Sequence, residues 1–246
     1  MIEGANRPFG KYEQYGAYHW REISPLPTRY NAILTARYRV LLDAIDARTN
    51  HVLDVGCGDG TLTARLAEER DRVYGIDDSL LPLRLARVEF DRRRLHRTPF
   101  LTTADARRLP FPNEAFDCVV MADVIEHIDA PDAVMREAHR VLRKGGQILL
   151  TTPRRYGDAT AHEYHCHEYT GAELVDLLRR RFADVRVRVF GPVRVSRLYD
   201  QKILGRKLFR LAINCFAIAG WNPLATSGEL VAESGHTDLC ASARKA

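Results

Sequence analysis

The stretch that decides the fold reads Leu53-Asp54-Val55-Gly56-Cys57-Gly58-Asp59-Gly60 and lies between a short apolar run and a helical pattern. The run Val52–Val55 predicts a buried strand, and Thr61–Glu69 has the apolar spacing of a helix. Glycines between them let the backbone turn tightly and approach a ligand that side chains would exclude. The stretch therefore predicts a strand, a ligand-binding loop and a helix in succession.

The same alternation continues beyond this loop. Further strands are predicted at Val73–Ile76, Phe100–Thr102, Asp117–Met121 and Gln147–Thr152, with helices at Leu83–Arg94 and Pro131–Leu142. The latter helix has proline in its first turn, and Gly145 is expected to cap its end. Uninterrupted apolar runs such as VLDV and CVVM are typical of a parallel sheet covered on both faces. The pattern predicts an α/β fold with a doubly wound sheet.

Both ends of the chain add to this core. Apolar spacing predicts a helix over Tyr30–Ile45, after an aromatic segment. A capping box at Thr170 and Glu173 starts another helix, and alternating valines at 185–189 and apolar residues at 239–243 predict strands. Between those two strands lies an insertion with a helix at Gln201–Ala219. We expect an N-terminal helical lid (1–48), a core (49–190), a substrate-covering insertion (191–235) and a final strand (236–246).

Composition excludes several classes of protein. The chain has 246 residues with 46% hydrophobic and 28% charged, which suits one globular domain. No apolar run reaches the roughly 20 residues of a membrane span, and the N-terminus lacks the apolar core of a secretion signal. Five scattered cysteines without a CxxC pair argue against disulfides and cysteine zinc sites. A cytoplasmic enzyme is expected.

Charge is uneven along the chain. The formal net charge is +5, and eleven Lys or Arg residues lie between Arg179 and Arg210 against only Asp184 and Asp200. Such a block favours anionic partners, namely phosphorylated small molecules, nucleic acid or an acidic membrane surface. A solvated basic face without a partner is the alternative.

The charges around the glycine loop indicate its ligand. Asp77 lies seventeen residues after Gly60, at the end of the next predicted strand, where a carboxylate can hold both hydroxyls of a ribose. Dinucleotide-binding loops share this arrangement but have the spacing GxGxxG. Here the spacing is GxGxG, with Asp54 before it and Asp59 within it. Acids repel a pyrophosphate but suit a cationic ligand with a free amino group, which points to S-adenosylmethionine (SAM).

Five stretches together carry a family resemblance: the loop, GIDDS (75–79), DARRLPF (105–111), FDCVVMADVIEHI (116–128) and LRKGGQILLTTP (142–153). Over about residues 50 to 155 the chain resembles the class I SAM-dependent methyltransferases, in the small-molecule subgroup with the LDVGCGxG loop. The resemblance implies a Rossmann-like, seven-stranded, mostly parallel sheet with helices on both faces. An N-terminal helical lid and a helical insertion before the last strand complete this expectation. It also implies methyl transfer from SAM, with S-adenosylhomocysteine as product.

The resemblance assigns cofactor roles by position. Gly56 and Gly58 would line the methionine part of SAM, with Cys57 and Gly60 in the same loop, and Asp54 would orient its amino group. Asp77 would bind the ribose, flanked by Asp78. Asp105 would accept a hydrogen bond from the adenine amino group, and the backbone amide of Ala106 would lie nearby. Ala122 would offer its carbonyl to the amine, and Asp123 would follow at the mouth of the site. As alternatives, Asp105 caps a turn and Asp54 is a buried acceptor for loop amides.

A histidine cluster follows the fifth strand of the core. Residues 162–168 hold three histidines and two glutamates, and three interpretations are open: a metal site, a general base with substrate clamp, and a structural role. We favour the base, with His165 and His167 as candidates and no metal. An O-methyltransferase needs such a group because a hydroxyl must lose its proton.

Other residues are candidates for contact with the acceptor. These are Tyr18, His19 and Trp20 in the lid, His127 after the fourth strand, and Arg194 and Arg197 in the insertion. Packing is the alternative for the lid residues and the favoured role for His127. The insertion has three candidate roles: covering the acceptor, which we favour, forming a dimer surface, or lying on a membrane, which we favour least because a single weak apolar face binds a membrane poorly. The chain is expected to be a monomer or homodimer.

The acceptor is expected to be a small, anionic molecule methylated on oxygen, such as a sugar or a specialised metabolite carrying phosphate. The alternatives are a tRNA-modifying enzyme, with nucleic acid as partner, and methylation of carbon or nitrogen. A SAM-binding protein without catalysis and a nicotinamide-dependent oxidoreductase are the alternatives of another class.

Overall fold

A computed structural model describes residues 10–155, 164–200, 204–229 and 235–246, together with the side chains in these ranges except those of 200, 204–206 and 229. Within these ranges, no helix is both long and apolar enough to cross a bilayer.

The described residues form one sheet of eight strands. They are β1 (His51–Val55), β2 (Arg72–Asp77), β3 (Phe100–Thr103), β4 (Phe116–Ala122), β5 (Leu142–Pro153), β6 (Ala183–Pro192), β7 (Gly228–Glu229) and β8 (His236–Arg244). Their order is β3-β2-β1-β4-β5-β8-β6-β7. The first five are parallel, and β8 runs antiparallel between β5 and β6. The predicted seven-stranded sheet is confirmed, and the two-residue β7 extends it along β6.

Nine helices of the described ranges surround the sheet. They are α1 (Lys11–Tyr15), α2 (Tyr18–Glu22), α3 (Ala32–Ala44), α4 (Thr61–Glu69), α5 (Leu80–Arg93), α6 (Pro131–Val141), α7 (Gly171–Arg179), α8 (Val193–Asp200) and α9 (Leu204–Ile218). The predicted capping box is confirmed. The Thr170 hydroxyl accepts a hydrogen bond from the Glu173 amide, and the Glu173 carboxylate accepts one from the Thr170 amide. Asn31 caps α3 in a similar way, by accepting from the amides of Ile33 and Leu34.

One local prediction from the sequence was wrong, and the pattern left two further features undefined. Gly145 does not cap α6, because the helix ends at Val141 and the chain enters β5 at once, where Leu142 pairs with Phe116. Gly145 instead lies inside β5, where its amide donates to Lys245. The aromatic N-terminal segment forms the short helices α1 and α2, and the insertion begins with α8, which the pattern did not indicate.

Two hydrophobic clusters cover the two faces of the sheet. One joins β1, β4 and β5 to α6 and α7, and the other joins the same strands to α3 and α4. A third, separate cluster joins the insertion to the start of α3, around Tyr30, Tyr199 and Ile213. Because β1 to β5 are parallel, their carboxyl ends meet at one edge, where ligands bind in open α/β sheets. The insertion packs on the start of α3 and also against β6 and β8.

Candidate active site

Asp77 lies at the carboxyl end of β2, against the glycine loop. Its Oδ2 accepts a hydrogen bond from the Gly58 amide at 2.9 Å, and its Oδ1 accepts one from the Ser79 amide at 3.0 Å. These backbone donors fix the carboxylate, and each oxygen keeps further lone pairs for a ligand. Burial raises the pKa of Asp77 to about 6. The geometry suits a carboxylate that receives ribose hydroxyls, as the sequence predicts.

Asp54 lies inside β1, behind the loop. It is 1% exposed, and its Oδ2 accepts from the Thr63 hydroxyl at 2.6 Å. Burial raises the pKa of Asp54 to about 7, and the negative charge of Asp77 contributes. Two neighbouring, poorly solvated carboxylates favour a ligand with positive charge. The SAM amino group fits this requirement, whereas a pyrophosphate does not.

Two loop glycines are required by their surroundings. Gly58 and Gly60 have φ angles of 54° and 74°, in the left-handed region that favours glycine. A Cβ at Gly58 would collide with the Tyr12 hydroxyl, and one at Gly60 would lie 2.7 Å from the Phe90 ring. The loop is thus compressed between the N-terminal segment and α5.

The remaining loop residues are held by their neighbours. The side chain of Val124 covers Gly56, where a Cβ would lie 2.5 Å from Val124 Cγ2. The Cys57 amide donates to the Ile76 carbonyl at 2.8 Å, and burial raises the pKa of its thiol.

The N-terminal segment is fastened to the loop through Asp59. The His19 amide and its ring Nδ1 both lie 3.1 Å from the Asp59 carboxylate, and the Trp20 indole donates to the Asp59 carbonyl at 2.6 Å. Asp59 is fully buried and also accepts from Thr61. Asp59 therefore anchors the N-terminal segment, and the carboxylates that favour a cationic ligand are those of Asp54 and Asp77.

The three predicted lid residues have different surroundings. Trp20 is 5% exposed, with its ring edge-on to Phe90 and Arg93 4.3 Å above it. These are contacts of a packing residue. The Tyr18 ring lies 4.0 Å from that of His19 and 5.4 Å from that of Tyr12, and all three side chains cover the loop. Tyr12, which sequence reasoning did not select, is the lid residue nearest to Gly58.

The predicted adenine side is open. Asp105 is exposed, and both its oxygens pair with Arg107, at 2.9 Å for the shortest contact. Ala106 is half-buried beside it, and Asp78 is exposed next to Asp77. An adenine amino group would compete with Arg107 for Asp105, so the role of Asp105 stays a prediction.

An ion-pair network lies after β4, where the resemblance places the mouth of the site. Ala122 ends this strand, and Asp123 follows it with a φ of 54°. Arg37 of α3 contacts Asp123 at 2.7 Å and Asp238 of β8 at 2.9 Å. The Thr151 hydroxyl donates to the other Asp123 oxygen at 2.9 Å. Sequence reasoning missed Arg37, because its partners are distant in the chain and no local pattern marks it.

A second polar cluster lies beside this network. Glu126, His127 and His165 each place one ligand atom within 4.8 Å of the others. Glu126 is fully buried, with Oε2 accepting from Thr152 at 3.0 Å, while its Oε1 has no hydrogen-bond partner among the described residues. Burial and the charge of Asp123 raise the pKa of Glu126, and burial lowers the pKa of His127. The arrangement can receive a proton or a cation.

The histidines of this region differ in orientation. Nδ1 of His127 lies 2.7 Å from the Tyr164 carbonyl, and Nδ1 of His165 lies 2.7 Å from the Glu168 carboxylate. His167 is 45% exposed, 3.6 Å from Glu173 of the capping box and edge-on to Tyr169. The fold therefore brings His165 to His127, and His167 to the start of α7. His162 and Glu163 lie outside the described residues.

Arg194 and Arg197 are exposed on α8. On the same helix, Ser196 lies 3.5 Å from Thr237, which also contacts Asp238. The helix thus borders the Arg37 network, while the arginine side chains extend to the surface. Lys202 and Arg206 lie outside the described side chains.

Comparison with known proteins agrees with this geometry. Residues 53–150 match a family model described as a methyltransferase domain. A phosphatidylethanolamine N-methyltransferase of Cereibacter sphaeroides is 39% identical over 106 residues, 43% of this chain and 52% of the relative. A ubiquinone biosynthesis O-methyltransferase of Pseudomonas paraeruginosa is 34% identical over 142 residues, 55% of this chain and 56% of the relative. The chain spans about half the length of the curated relatives it matches.

A solved structure shares the fold over nearly the whole chain. Phosphoethanolamine N-methyltransferase 2 of Haemonchus contortus, in complex with phosphomonomethylethanolamine and S-adenosylhomocysteine, matches with a TM-score of 0.67 and 20% identity. The match covers 96% of this chain and 59% of that one. Fold and domain match agree: residues 53–150 form a methyltransferase domain, and the fold around it is that of SAM-dependent methyltransferases.

Proposed function

We propose that this protein transfers the methyl group of SAM to a hydroxyl oxygen of a small, anionic acceptor. The observation that carries the proposal is the pair formed by His165 and Glu168, with 2.7 Å between Nδ1 and Oε1. A carboxylate only accepts, so the ring proton of neutral His165 lies on Nδ1 and the lone pair on Nε2. An imidazole held in this tautomer is suited to general-base catalysis.

The reaction requires alignment and one proton transfer. When bound, SAM supplies a methyl group on a positively charged sulfur. Held by the glycine loop and Asp77, the cofactor would give this methyl group to the acceptor oxygen and leave as S-adenosylhomocysteine, and Nε2 of His165 would take the hydroxyl proton. Glu168 stabilises the imidazolium that forms. Tyr12, Tyr18 and His19 cover the loop and exclude water from the cofactor side.

An anionic acceptor is supported by two observations. Arg194 and Arg197 are exposed on α8, whose inner side borders the Arg37 network. The Haemonchus contortus enzyme was solved with phosphomonomethylethanolamine, which carries phosphate. We therefore propose a phosphorylated or otherwise acidic molecule, such as a sugar or a specialised metabolite, with α8 and α9 beside its binding site.

Methylation of nitrogen is the second candidate. Two of the three proteins compared above are N-methyltransferases by name. An ammonium acceptor would also lose a proton to His165. The relative rates of a phosphorylated alcohol and its amine analogue distinguish the two candidates.

The test compares His165→Gln with His167→Gln in a turnover assay that measures S-adenosylhomocysteine across a panel of phosphorylated alcohols and amines. We expect His165→Gln to lower kcat by at least about 10²-fold with SAM affinity unchanged. His167→Gln is the matched control, since it lies in the same segment, and we expect it to alter thermal stability only.

Melting temperature and metal content complete this test. Loss of wild-type activity on chelation, with about one ion per chain, would assign His127 and His165 to a metal instead. Full activity of His165→Gln would overturn the base, and turnover of amines alone would overturn O-methylation.

A further inference from the structure

The outward face of α9 is apolar and exposed. The helix buries Ile213, Asn214 and Ala217, and every residue on its opposite side is uncharged. That side consists of Leu208, Leu211, Ala212, Cys215, Ile218 and Ala219, all exposed, and Leu208 is 72% exposed. An amphipathic surface helix normally turns charged residues to this side. This helix has an apolar stripe on both sides, and only one of them is covered.

The end of the helix extends this face. Gly220, with a φ of 96°, donates to the Ala217 carbonyl, and the Trp221 amide donates to the Phe216 carbonyl. These two bonds form a Schellman motif, which turns the chain back on the helix. It presents Trp221, 62% exposed, with its ring 5.4 Å from that of Phe216. Tryptophan at the end of an apolar face is typical of membrane–water interfaces.

The charge around this face has a single sign. The charged residues between Asp200 and Glu229 are Lys202, Arg206, Lys207 and Arg210, all positive. Lys207 and Arg210 are exposed on the first half of α9. A second copy of the chain would bring the same cations and no acid from this segment, whereas anionic lipid headgroups would neutralise them.

The covered side of α9 fixes its orientation. The Asn214 amide donates to the carbonyls of Pro27 and Tyr30 at 2.7 and 2.8 Å, and its Oδ1 accepts from the Tyr199 hydroxyl at 2.7 Å. Tyr199 also accepts from the Ala32 amide. These buried bonds hold the inner face on the start of α3, so the apolar face is directed away from the protein.

We propose that the outward face of α9 binds the surface of a bilayer that contains anionic phospholipid. The helix has 15 residues, fewer than the roughly 20 of a span, so it lies in the plane of the interface. Its leucines and Trp221 enter the headgroup region, and Lys207 contacts lipid phosphates. The inference concerns a surface outside the methyl-transfer site and holds for any acceptor.

Vesicle binding by the whole protein tests this surface. We expect co-sedimentation with vesicles of phosphatidylcholine and phosphatidylglycerol in equal parts, and binding at least about 10-fold weaker to phosphatidylcholine alone. Salt should weaken the binding. Tryptophan emission should shift to the blue on binding, and the shift should vanish in Trp221→Phe, because Trp20 is already buried.

The double variant Leu208→Glu, Leu211→Glu should bind at least about 10-fold more weakly than the wild type. Its control is Val88→Glu on α5, where the side chain is 62% exposed, and binding should not change. Lys207→Gln should reduce the salt dependence.

Three results would overturn the proposal: no binding of anionic vesicles by the wild type, an equal loss in Val88→Glu, or equal binding to neutral vesicles. A wild-type dimer that the double variant dissociates, without vesicle binding, would assign the face to self-association instead. Melting temperatures of all variants establish that each is folded.

Discussion

The two sides of the active site are built differently. On the cofactor side, Asp77 is held by the amides of Gly58 and Ser79, and Asp54 by Thr63, all within 20 positions of their partners. On the proposed acceptor side, Arg37 forms ion pairs with both Asp123 and Asp238. Asp238 lies 201 positions after Arg37 in the chain. The first side is encoded by local motifs, and the second exists only when distant segments have folded together.

The largest effect is therefore expected at Arg37. Arg37→Met leaves Asp123 and Asp238 without their shared cation, and removal of one partner from a buried pair is strongly destabilising. Because the Arg37 side chain is 25% exposed, we expect a loss near the lower end of the range, about 3 kcal/mol in the free energy of unfolding. Chemical denaturation measures this loss.

The control for Arg37 is on the same helix. Arg39→Met removes an exposed pair with Asp43 and should cost no more than about 0.5 kcal/mol. Equal losses of unfolding free energy in Arg37→Met and Arg39→Met would show that the ion pairs of Arg37 with Asp123 and Asp238 do not hold these segments together.

The contrast also separates what the sequence could predict from what it could not. The order of strands and helices, the loop and Asp77 follow from periodicity and glycine spacing, because those signals are local. Arg37 and Tyr12 were missed, since each acts on a residue far along the chain and nothing around it is distinctive. Asp59 was read as facing the ligand, whereas its fully buried carboxylate binds His19 and Thr61.

The histidine cluster shows the same limit. Its composition predicted a functional site, but not which histidine belongs to it. The backbone bonds from Cys166 and His167 to the Glu126 carbonyl bring this segment against the end of β4, at 2.7 and 3.1 Å. His165 then faces His127, and His167 turns to the capping box. A single residue, Cys166, separates His165 from His167, and only tertiary contacts distinguish their surroundings.

The second prediction concerns the cofactor side. Asp77→Ala should weaken SAM binding by about 10- to 150-fold, because the ribose loses a charge-assisted partner worth about 1.5–3 kcal/mol. Calorimetry measures the affinity, and Asp71→Ala is the matched control because that side chain is exposed just before β2, at the opposite end of the strand from Asp77. Because Asp77 contacts only nearby parts of the glycine loop and β2, the free energy of unfolding of Asp77→Ala should remain close to that of the wild type. An unchanged affinity would remove Asp77 from the cofactor site.

The third prediction is a pH dependence confined to the cofactor side. In the free protein the pKa of Asp77 is raised to about 6, so its proton must leave before it can accept two ribose hydroxyls. SAM affinity should therefore fall about tenfold for each pH unit below 6. Asp77→Asn should bind weakly with a flatter pH profile.

The same shift has a consequence for stability, with a definite sign. A carboxyl with a raised pKa in the folded state stabilises the free protein at low pH and loses that contribution as pH rises from about 4 to about 6. Bound SAM should counter this loss. A wild-type affinity that does not change between pH 5 and 7 would contradict the assignment.

The smallest effect is expected at the exposed arginines of the acceptor side. Arg194→Gln and Arg197→Gln should each raise KM for an anionic acceptor by about two- to fivefold, because an exposed ion pair contributes about 0.2–1 kcal/mol. The affinity for SAM should not change, since neither side chain approaches the glycine loop. The KM of the wild type should rise with salt, and this rise should be smaller in the double variant. Arg92→Gln on α5, equally exposed and remote from α8, is the control. If both ligands lose affinity together, the arginines stabilise the insertion and do not bind the acceptor.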